Sequence, residues 1–238
     1  MAPSWEFEGD SLVFDGKKAA APTVRTFEEM RPVLADAGVQ CSLQPDSPLY
    51  YMFRAVLSFQ HIRYDITRIL SADLCGEYNK TFGHIHPPSK SGASWPEVYE
   101  VLDGDAHFLL QKVSSLGVQD AILLSAKKGE RFLVPPAYGH VTINPGRKDL
   151  VLANLISGDF QSDYSMFANR KGACFYEMKG GKIVKNPNYG KDFEVRKVGA
   201  VKFSESFGCF APFKKLSLLE AAQDYRNIEF LQKPEMFY

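Results

Sequence analysis

The sequence predicts a mainly β protein, a sandwich or barrel of short strands with few helices. Three observations predict it. From Tyr50 to Ser157 hydrophobicity repeats with a period of two, the period of a strand. Turn-forming clusters (Lys127-Lys128-Gly129, Pro135-Pro136 and Asn144-Pro145-Gly146) interrupt that run at short intervals. Helical signatures are confined to the two ends of the chain.

Each element follows in chain order. Residues 1–49 read as a lead-in that packs on the main unit. Thr26 followed by Glu29 fits a capping box, and Phe27, Met30, Val33 and Leu34 recur at helical spacing, so a short helix ending near Gly38 is expected. Pro32 is tolerable there only if it falls in the first turn. Ile62, Tyr64 and Ile66 alternate with Arg63, Asp65 and Thr67, the pattern of a half-buried strand. Residues 98–102, the Asp103-Gly104 pair and residues 106–113 together predict a β-hairpin closed by an Asp-Gly turn. Further strands are expected at 121–125, 131–134, 141–143 and 150–156, and another hairpin around Gly180-Gly181. Ser217 and Glu220 would cap a closing helix running to about Tyr225. Residues 190–238 carry Phe203, Phe207, Phe210 and Phe213, which predicts a C-terminal extension packed on the main unit or on a partner subunit. Residues 50–189 form the main unit, and 238 residues suit one core rather than two.

Composition narrows the function classes. Lysine plus arginine is 28 and aspartate plus glutamate is 28, so no global charge draws the chain to nucleic acid or to acidic membranes. No apolar run approaches the roughly 20 residues that span a bilayer. The N-terminal MAPSWEFEGD is too acidic for a secretory signal, and Cys41, Cys75, Cys174 and Cys209 form no CxxC pair. These features predict free thiols and a cytoplasmic location.

The chemistry is concentrated in Gly83-His84-Ile85-His86, Pro96-Glu97-Val98-Tyr99 and Val134-Pro135-Pro136-Ala137-Tyr138-Gly139-His140. Histidines at i and i+2 of an extended segment share a face, so both imidazoles can reach one ion. A carboxylate and a third histidine would complete a set of three nitrogens and one oxygen at His84, His86, Glu97 and His140. That set suits iron, manganese, zinc, nickel or copper and leaves room for water or substrate. Glu100 is a rival for the carboxylate. On a regular strand it faces away from Glu97, Tyr99 and Val101, so only one of the two glutamates can point inward. His61 and His107 fit neither stretch and read as packing or surface residues.

These stretches, with their spacing to Gly104, Gly129 and Asn144, resemble the two motifs of the cupins. The resemblance implies a single cupin barrel, a double-stranded β-helix or jelly roll. Two departures stand out: a ten-residue loop between His86 and Glu97, and Ala137 at a turn position that normally holds glycine. Alanine fits that position if its φ is negative.

From Tyr51 to about Tyr189 the chain is similar to the cupin-type glucose-6-phosphate isomerases of archaea and some bacteria. The segments that carry this are Thr81 to His86, Glu97-Val98-Tyr99, Leu110-Gln111, Val134-Pro135-Pro136, His140 to Asn144, Asp163-Tyr164 and Asn186-Pro187. The resemblance implies interconversion of glucose 6-phosphate and fructose 6-phosphate with one divalent metal per subunit, Fe2+ or Mn2+ first and Zn2+ or Ni2+ as alternatives. It implies that Thr67, Thr81 and Gly83 hold the sugar phosphate and that Tyr51, Tyr99 and Tyr164 line the pocket. Hydrogen would move between C2 and C1 either through an enediol, with Glu97 as the base and Tyr99 a proton relay, or by a direct hydride shift. Ile156 and Ser162 stand where the family has a tyrosine and a histidine, which bears on substrate choice or on the ring-opening step. A homodimer is expected, with no nucleic-acid or membrane partner. The alternatives are another phosphosugar such as mannose 6-phosphate, an iron dioxygenase, and a sugar-binding cupin without turnover.

Overall fold

A computed structural model describes residues 4–36, 42–190 and 192–237. Two six-stranded sheets face each other. In the first, strands run in the order Val195–Gly199, Gly117–Lys127, Asp105–Ser114, Gly139–Asn144, Glu77–Lys80, Asp73–Leu74. In the second the order is Arg131–Val134, Glu97–Asp103, Leu150–Ser157, Ile62–Ile69, Pro48–Phe59, Thr23–Thr26. The interior between them holds Phe108, Leu110, Ile122 and Leu124 from one sheet and Tyr99, Val101, Phe132 and Leu152 from the other. Phe108 and Phe132 meet across it with ring centres 3.9 Å apart. This is the mainly β cupin jelly roll that the sequence predicts, built as two facing sheets rather than one closed barrel.

The Asp103-Gly104 turn is not the tip of a hairpin. Glu97–Asp103 pairs with Arg131–Val134 and Leu150–Ser157, whereas Asp105–Ser114 pairs with Gly117–Lys127 and Gly139–Asn144. Gly104, at φ 91°, is therefore the corner where the chain leaves one sheet for the other. Asp-Gly supplies a tight positive-φ turn, and burial of both flanking strands decides which sheet each joins. The hairpin at Gly180-Gly181 does form, between Phe175–Glu177 and Ile183–Lys185.

The N-terminal helix is a single turn, Phe27–Met30, that tightens into a 3-10 turn at Arg31–Val33 with Pro32 near its start. Glu29 accepts from the Thr26 N–H at 2.8 Å, as a capping box requires. The expected stop at Gly38 lies outside the described residues. Cys75 is disulfide-bonded, so the reading of all four cysteines as free thiols fails there; Cys174 and Cys209 are free.

The second sheet buries both of its faces. Leu12 and Phe14 from an N-terminal three-stranded sheet cover its outer side, together with Phe210, Phe213, Leu218, Ile228, Phe230 and Leu231 from the C-terminal segment. These pack on Tyr64, Ile66, Val98, Leu133 and Leu155. At about 2 kcal/mol per buried apolar side chain, the six C-terminal residues contribute on the order of 10 kcal/mol. That rivals the net stability of a whole domain, so the C-terminal segment is integral to the fold. Its helix, Leu218–Ala222, is shorter than expected and passes into 3-10 turns from Tyr225. Among the described residues no helix is long and apolar enough to cross a membrane.

Candidate metal centre

The alternation in Ile62–Ile69 is real, but the polar positions are the ones that face the interior. Ile62, Tyr64 and Ile66 point outward under the terminal segments, and Arg63, Asp65 and Thr67 point between the sheets into a cavity. The register orders that cavity wall in rows. Glu97 lies opposite Ile156, which lies opposite Arg63; Tyr99, Asn154 and Asp65 form the next row; Val101, Leu152 and Thr67 form the third.

The candidate ligands converge at the first row. Gly83 to His86 is held beside Gly139–Asn144 by paired backbone bonds, His140 N–H to the His84 carbonyl at 2.9 Å and His84 N–H to the His140 carbonyl at 3.2 Å. His84 Nε2 and His86 Nε2 are 3.1 Å apart, and Glu97 Oε2 lies 3.4 Å from His86 Nε2 and 3.3 Å from His140 Nε2. The four ligand atoms all fall within 4.8 Å of one another. His86 donates its Nδ1–H to the Trp95 carbonyl at 2.8 Å, which leaves Nε2 as a free lone pair aimed at the cluster. The long loop between His86 and Glu97 therefore returns to orient a histidine, with Trp95 stacked on Phe160 and Phe160 against His86.

The electrostatics suit a cation. Burial pushes the His84 imidazole well below its ordinary value, reinforced by the neighbouring His140 and His86, and burial lowers His140 as well. Both are thus neutral and able to coordinate. Burial alone would raise the Glu97 carboxyl, but the His140 and His86 imidazoles packed against it hold it below the usual carboxylate range. Glu97 Oε2 is buried with no hydrogen-bond donor, an arrangement that is costly unless something positive sits there. Three imidazoles and one carboxylate with an orphaned oxygen fit a divalent transition metal.

The other sequence-predicted residues divide by strand parity. Thr67, Thr81, Gly83, Tyr99 and Tyr164 line the cavity, as do the two replacement positions Ile156 and Ser162. Tyr51 does not. It shares a face with Phe53 and packs in the outer cluster, whereas Tyr50, one residue earlier, reaches inward and accepts from the Phe82 N–H at 3.2 Å. A one-residue choice on a strand reverses the face, and two adjacent tyrosines give no sequence means to choose. Gly83, at φ 88°, is required: a Cβ there would lie 2.5 Å from the Phe167 ring and 2.7 Å from Val141. Ala137 contradicts the expectation of negative φ; it sits at +69°, its N–H donating to Ser94 Oγ. Glu100 faces out and accepts from the Leu218 N–H at 2.8 Å, capping the C-terminal helix. His61 is exposed beside Asp159, and His107 pairs with Glu177 at 2.9 Å, both remote from the cluster. Sequence reasoning missed Tyr50, Arg54, Arg63, Asp65 and Asn154 as cavity residues. Their parity with Thr67 and Glu97 was the available signal.

A family model, described as glucose-6-phosphate isomerase (GPI), matches residues 24–194. The chain belongs to that family. Curated relatives bearing the name glucose-6-phosphate isomerase agree: that of Thermococcus gammatolerans is 25% identical over 171 residues, 70% of this chain and 86% of the relative. The Pyrococcus furiosus relative is 25% identical over 180 residues, 73% of this chain and 91% of the relative. Among solved structures, the formate complex of Lactobacillus farciminis oxalate decarboxylase aligns at 20% identity and a TM-score of 0.37, covering 48% of this chain and 30% of that one. The family match ends at residue 194, so most of the C-terminal segment that covers the second sheet lies beyond it.

Proposed function

We propose that the chain is a metal-dependent aldose–ketose isomerase that interconverts glucose 6-phosphate and fructose 6-phosphate. The observation that carries this reading is the two-ended cavity. Metal-competent ligands stand in the first row, the Thr67 hydroxyl stands two rows away, and Thr81 and Gly83 line the same cavity. Four residues of strand separate Arg63 in the first row from Thr67, about 13 Å, a span suited to a hexose phosphate with its phosphate at one end and its carbonyl at the other.

His84, His86, Glu97 and His140 would hold the ion, Fe2+ or Mn2+ in first place and Zn2+ or Ni2+ as alternatives. Such an ion supplies Lewis acidity to the C1 and C2 oxygens. Thr67, Thr81 and the Gly83 N–H would bind the phosphate as neutral donors, which suits a chain of zero formal net charge. Tyr164, with its ring 5.8 Å from Phe82 and 5.5 Å from His84, would flank the sugar between the two ends. Glu97 would accept the proton that moves between C2 and C1. Tyr99 is buried and its phenol is held protonated, by burial first and the Glu97 charge second, so it would donate rather than withdraw a proton between oxygens.

Ile156 and Ser162 face this cavity and bear on which sugar is preferred. The test is a pair of initial-rate assays on metal-loaded protein, one with fructose 6-phosphate and one with mannose 6-phosphate. The reading requires the fructose 6-phosphate rate to dominate, and a preference for mannose 6-phosphate would reassign the substrate. The reading includes a homodimer, to be tested by light scattering. It also includes a cytoplasmic location, against which the Cys75 disulfide weighs; fractionation under thiol-blocking conditions tests it.

A further inference from the structure

Within the cavity, one charged pair is left without a part in the chemistry above. Arg63 stands in the same row as Glu97, two strands away, at a spacing of about 10 Å. Its guanidinium is tethered by Asp65, Nη2 to Oδ2 at 3.2 Å, and its Nε is buried with no acceptor. An arginine donor without a partner costs free energy unless something else receives it. Asp65 is itself buried and fixed from a second side. Its Oδ1 accepts from the Ala55 N–H at 2.7 Å, at a bulge where the ladder between Pro48–Phe59 and Ile62–Ile69 slips and Ala55 sits at φ 51°. A strained residue, a buried carboxylate and a broken ladder thus hold one guanidinium against the cavity wall. Between Arg63 and Glu97 stands Ile156, which offers no polar atom to satisfy either.

We propose that Arg63 donates hydrogen bonds to the oxygens at the reacting end of the substrate, and that Asp65 is the residue that positions it. This rests on the isomerase reading, which places C1 and C2 in the Glu97 row. A planar, permanently charged fork is suited to oxygen that gains negative charge as hydrogen moves between the two carbons. Arg54 also lines the cavity but is exposed, so its charge is screened, and the burden falls on Arg63.

The test compares two unreactive probes on the metal-loaded protein by calorimetry: an aldonic acid 6-phosphate, with a carboxylate at C1, and the matching alditol 6-phosphate, with a hydroxyl there. Arg63→Gln is expected to weaken the carboxylate probe about 10- to 100-fold and the alditol less than about 3-fold. Asp65→Asn keeps an acceptor for the Ala55 N–H and removes only the charge that tethers Arg63. It is expected to lose the same selectivity to a smaller degree, and Arg63→Lys to restore part of it. Equal weakening of both probes, or none, in Arg63→Gln protein with full metal content overturns the proposal. Turnover of fructose 6-phosphate by the parent protein is measured alongside. Its absence would count against the isomerase reading, while the probe comparison still decides for or against Arg63.

Discussion

At the scale of single residues, the metal ligands were legible because two independent constraints coincide on them. Chain spacing selects His84, His86 and His140; parity allows only one of Glu97 and Glu100 to face them, and the motif spacing to Gly104 selects Glu97; the structure places the four selected residues in one cluster. The polar wall opposite was not legible. Alternation at residues 62–67 states that the two faces differ, not which one faces the interior, and the apolar face is also buried. Tyr51 and Tyr50 show the same limit at its sharpest. Ala137 shows a different one, since conformation at a turn is not written in side-chain pattern. An alanine at φ 69° carries about 1 kcal/mol of strain that glycine does not. Nothing in its backbone bond to Ser94 needs the methyl group. Ala137→Gly is expected to stabilise the protein by about that amount, read as a rise in the denaturant midpoint with unchanged slope. A fall would mean that the methyl group contributes more in packing than it costs in strain.

At the scale of elements, the informative joints are where one element caps or turns another. Gly104 serves as a corner rather than a hairpin tip because the flanking strands bury their apolar residues in different sheets. Glu100, on the outward parity of its strand, accepts from the first N–H of the helix Leu218–Ala222 and lies 3.5 Å from Arg131. Burial raises its carboxyl above 4.5, against the Leu218 hydrogen bond and the Arg131 charge. A carboxyl raised by folding binds more protons in the folded state, so its contribution to stability is present at low pH and lost as pH rises above about 4.5. Glu100→Gln keeps an acceptor for the helix and removes the buried charge. The variant is expected to be more stable than the parent at pH 7, with the difference closing as pH falls toward 3, in paired denaturation curves. Lower stability at pH 7 would show that the Arg131 pairing outweighs burial.

At the scale of the whole molecule, the terminal segments explain how a sheet can turn its polar side inward. Because Leu12, Phe14 and the aromatic C-terminal residues cover the outer face, the second sheet is free to spend its inner face on Glu97, Tyr99, Asn154, Asp65 and Thr67. The composition of 190–238 announced burial, and the surface that receives it is the sheet carrying half of the site. Fold and metal centre are thus one assembly, and a bound ion would stabilise both by mass action. The most direct measurement is a titration of chelator-stripped protein with Mn2+, following fructose 6-phosphate conversion and thermal midpoint together. The expected result is no turnover without metal, activity rising to a plateau at one equivalent per chain with a parallel rise in midpoint, and loss of both responses in His140→Ala. Full turnover by the stripped protein, or a His140→Ala variant that responds to Mn2+ as the parent does, would contradict it.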